Sequence, residues 1–239
     1  WVEQFMSKQG LDLFDNENGR KANPTKTVFN DNGGVTNVLK AWKELEDDGI
    51  APNVGKQGGV PEFNSGTSAM TFASTASLAQ ILSEVGDRFE VGTAYFPGVE
   101  ASDNHGVSIG GASLYALDSG DKEKMEGTWD FIKFLVNVDS QTYWNANTGY
   151  FPVNKGVLDT DKFKELIKES PQFETAIDQL HDSTPDDQGA LSTVFQESRQ
   201  VMEKYIEEML NGNVSPEDAS KNMAKEMDDA LESYNKVNK

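Results

Sequence analysis

Apolar residues recur along this chain at helical spacing in some stretches and in short unbroken runs in others. Val35, Val38, Leu39, Trp42 and Leu45 return every three or four positions and stop before Gly49, which predicts an amphipathic helix. Val2, Phe5 and Met6 share one helical face in the same way, and Leu78, Ile81, Leu82 and Val85 predict a helix ended by Gly86. Residues 129–136 also read as helix, with Phe131, Ile132, Phe134 and Leu135 implying burial on most sides. A further helix starts at Ser140 and carries Tyr143 and Trp144. Three short apolar runs predict strands: 68–74, 89–96 (closed by Pro97-Gly98), and 107–117, interrupted at Gly110-Gly111. Beyond Tyr150-Phe151-Pro152 the texture changes to polar amphipathic helices over 162–169, 172–181, 195–210 and 216–237. The last has a well-marked start: a Ser215 cap, Pro216 at the first helical position, and Glu217 and Asp218 in the first turn. Strands alternating with helices predict an α/β architecture.

Composition narrows the chemistry. At 239 residues the chain is long enough for one large domain or two modest ones, with a real core. It has no cysteine, so disulfides, thiolate zinc sites and cysteine nucleophiles are excluded. With 21 basic and 40 acidic residues the net charge is −19, a surface that repels a phosphate backbone and argues against nucleic-acid partners. No apolar run approaches the ~20 residues of a membrane-spanning helix. Only Arg20, Arg88 and Arg199 supply guanidinium groups. The chain opens at Trp1 in what reads as the middle of an element, so a fragment or trimmed chain is expected, with any targeting segment outside it.

Signatures of catalysis are sparse. His105 and His181 have no second ligand at metal spacing, and the ordinary reading of each is a solvated or capped residue. Asp47-Asp48, Asp186-Asp187 and Asp228-Asp229 lie in charged stretches of the kind that form solvated faces. The run Asp15-Asn16-Glu17-Asn18-Gly19 mimics part of a calcium loop but lacks its terminal Glu. No phosphate loop, dinucleotide fingerprint or nucleophile elbow occurs. No enzyme, cofactor or metal is expected. Binding chemistry is better represented. Ser74 and Thr75 lie where a strand gives way to a helix, a place suited to an anion or a sugar hydroxyl. Gly110-Gly111 admits close approach to the backbone, and Tyr150 puts a phenol at a chain bend.

Taken in order, NSGTSAMTFASTASL, GGASLYAL, the helix with Trp129 and Phe134, and YWNANTGYFPV resemble the extracellular solute-binding proteins of ABC importers. The tail, with Phe195-Gln196-Glu197-Ser198-Arg199, Gly212 and Ser215 to Ala219, resembles the same family, in the cluster of glycerol-3-phosphate and sugar binders. The resemblance covers essentially the whole chain. It implies a periplasmic-binding-protein-like fold of type II, two α/β lobes closing on ligand, with the bulk of the first lobe lying outside this chain. On that reading residues 1–115 belong to the second lobe, 116–148 are an excursion into the first, and 149–239 return to the second. It also implies that the ligand is met by Trp1, the Ser74 hydroxyl, the Gly111 backbone, Tyr150 and, for a phosphate, the Arg199 guanidinium. Departures from the family pattern occur at Thr75-Ala76-Ser77 and before Arg199. The implied ligand is glycerol-3-phosphate or a glycerophosphodiester, with a carbohydrate as the alternative. The implied setting is extracellular or periplasmic, and the implied partner is the permease subunits of an ABC importer, to which the ligand is presented. Any membrane contact would be through a lipoprotein anchor outside this chain. A glycan-processing hydrolase and an interaction module without a small ligand are the readings from other classes.

Overall fold

In the computed structural model, residues 1–56 and 58–238 are described. The α-helices begin with α1 (Val2–Gln9), α2 (Asp15–Gly19), α3 (Phe29–Asn32), α4 (Gly34–Asp47), α5 (Val60–Asn64) and α6 (Leu78–Val85). They continue with α7 (Lys122–Leu135), α8 (Val138–Thr148), α9 (Asp161–Glu169), α10 (Gln172–His181), α11 (Phe195–Leu210) and α12 (Pro216–Val237). The chain separates into two compact units. The first comprises Trp1–Asn53, Phe96–Ile109 and Asp182–Lys239, and the second Val54–Tyr95 and Gly110–His181.

The first unit is built on α4, α11 and α12, with α1 packed on α4. Its core holds Val2, Met6, Phe14, Phe29, Val35, Leu39, Met209, Met223, Met227 and Leu231, all nearly solvent-free. Ser215 caps α12 as its sequence predicts, its hydroxyl oxygen accepting from the Asp218 amide at 3.1 Å. The calcium-like run is the segment labelled α2, which is a single left-handed turn and not a right-handed helix, with φ of 56°, 56° and 55° at Asn16, Glu17 and Asn18. Its acceptors are used by the chain itself. Asp15 takes the Thr25 amide and hydroxyl, and the buried Asn18 takes the Leu13 and Phe14 amides.

The second unit has two small cores. In one, Ile81, Val85 and Val91 gather Phe63 and Phe89. In the other, Val157, Phe163 and Ile177 gather Val138, Phe151 and Ile167. Two expectations are corrected here. Residues 68–74, 89–96 and 107–117 form no ladder. The one β-type pairing among the described residues is the antiparallel bridge between Phe14 and Thr27. A strand exists only where a neighbour takes its amides and carbonyls, and in the second and third runs some of these groups turn to side chains instead. The Val91 carbonyl accepts from Gln172 Nε2 at 2.6 Å, and the Val107 amide donates to Ser183 Oγ at 2.9 Å. Helix α7 forms and extends further back than expected, but it is not buried on most sides. Trp129, Phe131 and Phe134 are each 59% exposed, because α7 packs chiefly along one edge against α8.

Candidate functional site

The five residues singled out above fall in both units. Trp1 and Arg199 lie in the first. Trp1 precedes α1 and its ring stacks on Phe96, centroids 5.9 Å apart, with Phe5 packed on the same ring at 4.6 Å. Arg199 lies in the second turn of α11, which is fixed by burial of Val201, Met202 and Met209 on its other face. Its Nε–H donates to Glu3 Oε1 of α1 at 2.8 Å, and its Cζ lies 4.7 Å from the Phe195 ring centroid. The carboxylate that meets this arginine is therefore Glu3, a residue no sequence spacing singles out, since 196 positions separate the pair. Acidity in the first turn of α1 was its only local trace.

Ser74, Gly111 and Tyr150 lie in the second unit. Ser74 is the N-cap of the 3-10 turn Thr75–Ser77, and its hydroxyl oxygen accepts from the Ala76 amide at 3.3 Å. The hydroxyl proton remains available to an acceptor. Tyr150 follows Gly149, which closes α8 in the left-handed conformation at φ 94°. A Cβ on Gly149 would lie 2.3 Å from the Thr75 carbonyl oxygen, so the absent side chain lets the α8 terminus sit on the turn that Ser74 opens. Asn145 holds this bend by donating Nδ2–H to the Tyr150 carbonyl at 2.8 Å. The Trp144 ring lies 6.1 Å from that of Tyr150, forming an aromatic pair with its phenol side half exposed. The fold thus brings Thr75 and Gly149, the chain neighbours of Ser74 and Tyr150, against one another. Gly111 is exposed, and a Cβ there would meet nothing within 4 Å.

A separate polar cluster in the first unit ties α1 to the segments at 105–108 and 184–189. Ser7 Oγ donates to the Asp187 carbonyl at 2.7 Å, and Ser108 Oγ to the same oxygen at 3.0 Å. His105 Nδ1 lies 3.4 Å from the buried Asp187 carboxylate, and the imidazole packs where a Gly10 Cβ would stand. Burial works to raise the Asp187 carboxyl. Hydrogen bonds from the Thr184 amide and hydroxyl to Oδ2, with the Gly106 amide and His105 close by, outweigh it and hold the group below the ordinary aspartate range. His105 is thus a partner in a structural network. Among the described residues no group of three or more His, Cys, Asp or Glu side chains could hold a metal. Among the described residues no helix is long and apolar enough to cross a membrane.

Compared with known proteins, residues 1–175 match the family model of bacterial extracellular solute-binding proteins. The sn-glycerol-3-phosphate-binding periplasmic protein UgpB of Escherichia coli K12 is 26% identical over 224 residues, 92% of this chain and 51% of that protein. A cyclic α-maltosyl-1,6-maltose binding protein from Arthrobacter globiformis superposes with a TM-score of 0.75 at 21% identity, over 97% of this chain and 55% of its own. UgpB from Mycobacterium tuberculosis, solved with glycerophosphocholine, gives a TM-score of 0.71 at 20% identity over 96% of this chain and 55% of its own. The chain spans about half the length of the curated relatives it matches. These likenesses bear out the binding-protein fold that the motif order implied.

Proposed function

This chain belongs to the bacterial extracellular solute-binding protein family, and from that premise we propose that it carries half of the substrate-binding component of an ABC importer. The proposed ligand is glycerol-3-phosphate or a glycerophosphodiester, captured outside the membrane, presented to permease subunits, and not chemically altered. The observation that carries the reading is the arginine on α11. In a chain of net charge −19 with three arginines, this guanidinium is oriented by Glu3 and Phe195 and is otherwise exposed, leaving donors for an anion beside aromatic surface. Trp1 supplies apolar surface for the glycerol carbons, while Ser74, the Gly111 backbone and the Tyr150 phenol supply donors. The two-lobe assignment, with 116–148 as the excursion between 1–115 and 149–239, belongs to the same proposal. Ligand stabilises the closed form of such a protein through contacts that exist only on closure.

A carbohydrate is the second reading. The structural likeness to a cyclic maltosyl-maltose binder and the Trp144–Tyr150 aromatic pair support it, since indole and phenol rings are stacking platforms for sugar faces. A thermal-shift screen of the full-length protein separates the two. Glycerol-3-phosphate and glycerophosphocholine raise the melting temperature under the first reading, and mono- and oligosaccharides alone raise it under the second. No shift with any of these compounds overturns both.

A further inference from the structure

The environment of Arg199 fixes more than its charge. Its Nε–H is taken by Glu3 Oε1 at 2.8 Å and its face is covered by Phe195 at 4.7 Å, while its Nη1 and Nη2 groups have no partner among the described residues. The carboxylate is the sheltered member of the pair: the Glu3 side chain is 17% exposed and that of Arg199 54%. Glu3 in turn stands on α1, whose Val2 and Met6 are locked into the core, so the acceptor is presented from a rigid element. A guanidinium can receive a phosphate along its Nε–Nη edge or across its two Nη groups. With Nε occupied, the edge across the two Nη groups is the bidentate one left.

We infer that Glu3 is a positioning residue for anion binding, holding the Arg199 fork so that its two Nη groups face a phosphate end-on. This inference rests on the proposed reading of Arg199 as the cation that meets the ligand. The geometry makes two demands on Glu3. Its acceptor oxygen orients the fork, and its negative charge subtracts from the pull on an anion. Replacement by Gln keeps the first and removes the second. Replacement by Ala removes both and frees a long, rotamer-rich side chain that must be re-ordered when ligand binds.

Calorimetric titration of the full-length protein with glycerol-3-phosphate tests this, using wild type, Glu3→Gln, Glu3→Ala and Arg199→Ala. Ligand-free melting temperatures confirm that each variant is folded. Glu3→Gln is expected to bind at least as tightly as wild type. Glu3→Ala is expected to bind about fivefold more weakly, the scale of ordering one such side chain. Two results overturn the positioning role while leaving the reading of Arg199 intact, provided Arg199→Ala loses binding: Glu3→Ala equal to wild type, or Glu3→Gln as weak as Glu3→Ala. Unchanged binding by Arg199→Ala overturns the reading itself, and the inference with it.

Discussion

At Gly149 a single added methyl group has two costs. It asks a residue with a side chain to adopt φ 94°, and it drives Cβ to 2.3 Å from the Thr75 carbonyl oxygen. Gly149→Ala should lower the stability of the protein by about 1–3 kcal/mol, measured by urea unfolding. It should also displace Tyr150 from the Ser74 turn and weaken ligand binding beyond what the stability loss explains. Asp187 gives a pH prediction. Its carboxyl is held below the ordinary aspartate range, so its contribution to stability is present above that range and is lost as acid brings the pH down through the lowered value. Asp187→Asn should therefore be less stable than wild type at neutral pH, with the gap closing under acid, as followed by unfolding midpoints across pH. The Glu3–Arg199 contact belongs to this scale too and was not legible in advance. Side chains 196 residues apart share no periodicity, and only the packing of α1 and α11 into one core brings them together.

Among the elements, those whose ends are written locally were legible. Gly86 closes α6, and the boundaries of α10, α11 and α12 coincide with those expected from periodicity and capping. Such signals act within one turn, so they are complete in the sequence. Ser215→Ala removes the acceptor for the Asp218 amide and should cost about 1 kcal/mol, measured by thermal or urea unfolding. Met227→Ala, deeper on the same helix in a fully buried position, should cost about 2–5 kcal/mol. The strand candidates at 68–74, 89–96 and 107–117 fared differently because a strand is a property of two segments. Each run is apolar, but neither burial nor a ladder partner follows from that: Met70 and Leu117 are exposed and no ladder forms. The same reasoning covers α7: its apolar residues predicted burial, while its main packing partner, α8, covers one edge alone.

For the whole molecule, motif order carried further than any single motif. Ser-Ala-Met-Thr-Phe-Ala-Ser, Gly-Gly-Ala-Ser and Thr-Gly-Tyr-Phe-Pro are each weak, but their sequence along the chain pointed to the solute-binding family that the comparisons bear out. The ligand was less legible, because glycerophosphate and sugar binders share one fold and one set of aromatic platforms. The discriminating group is the cation on α11. Equilibrium titration of the full-length wild type and Arg199→Ala with glycerol-3-phosphate therefore tests the account most directly. Losing one member of a charge-paired contact to the phosphate should weaken binding at least about thirtyfold. Equal affinity of the two proteins for glycerol-3-phosphate would contradict the account, because the cation on α11 would then not meet the phosphate.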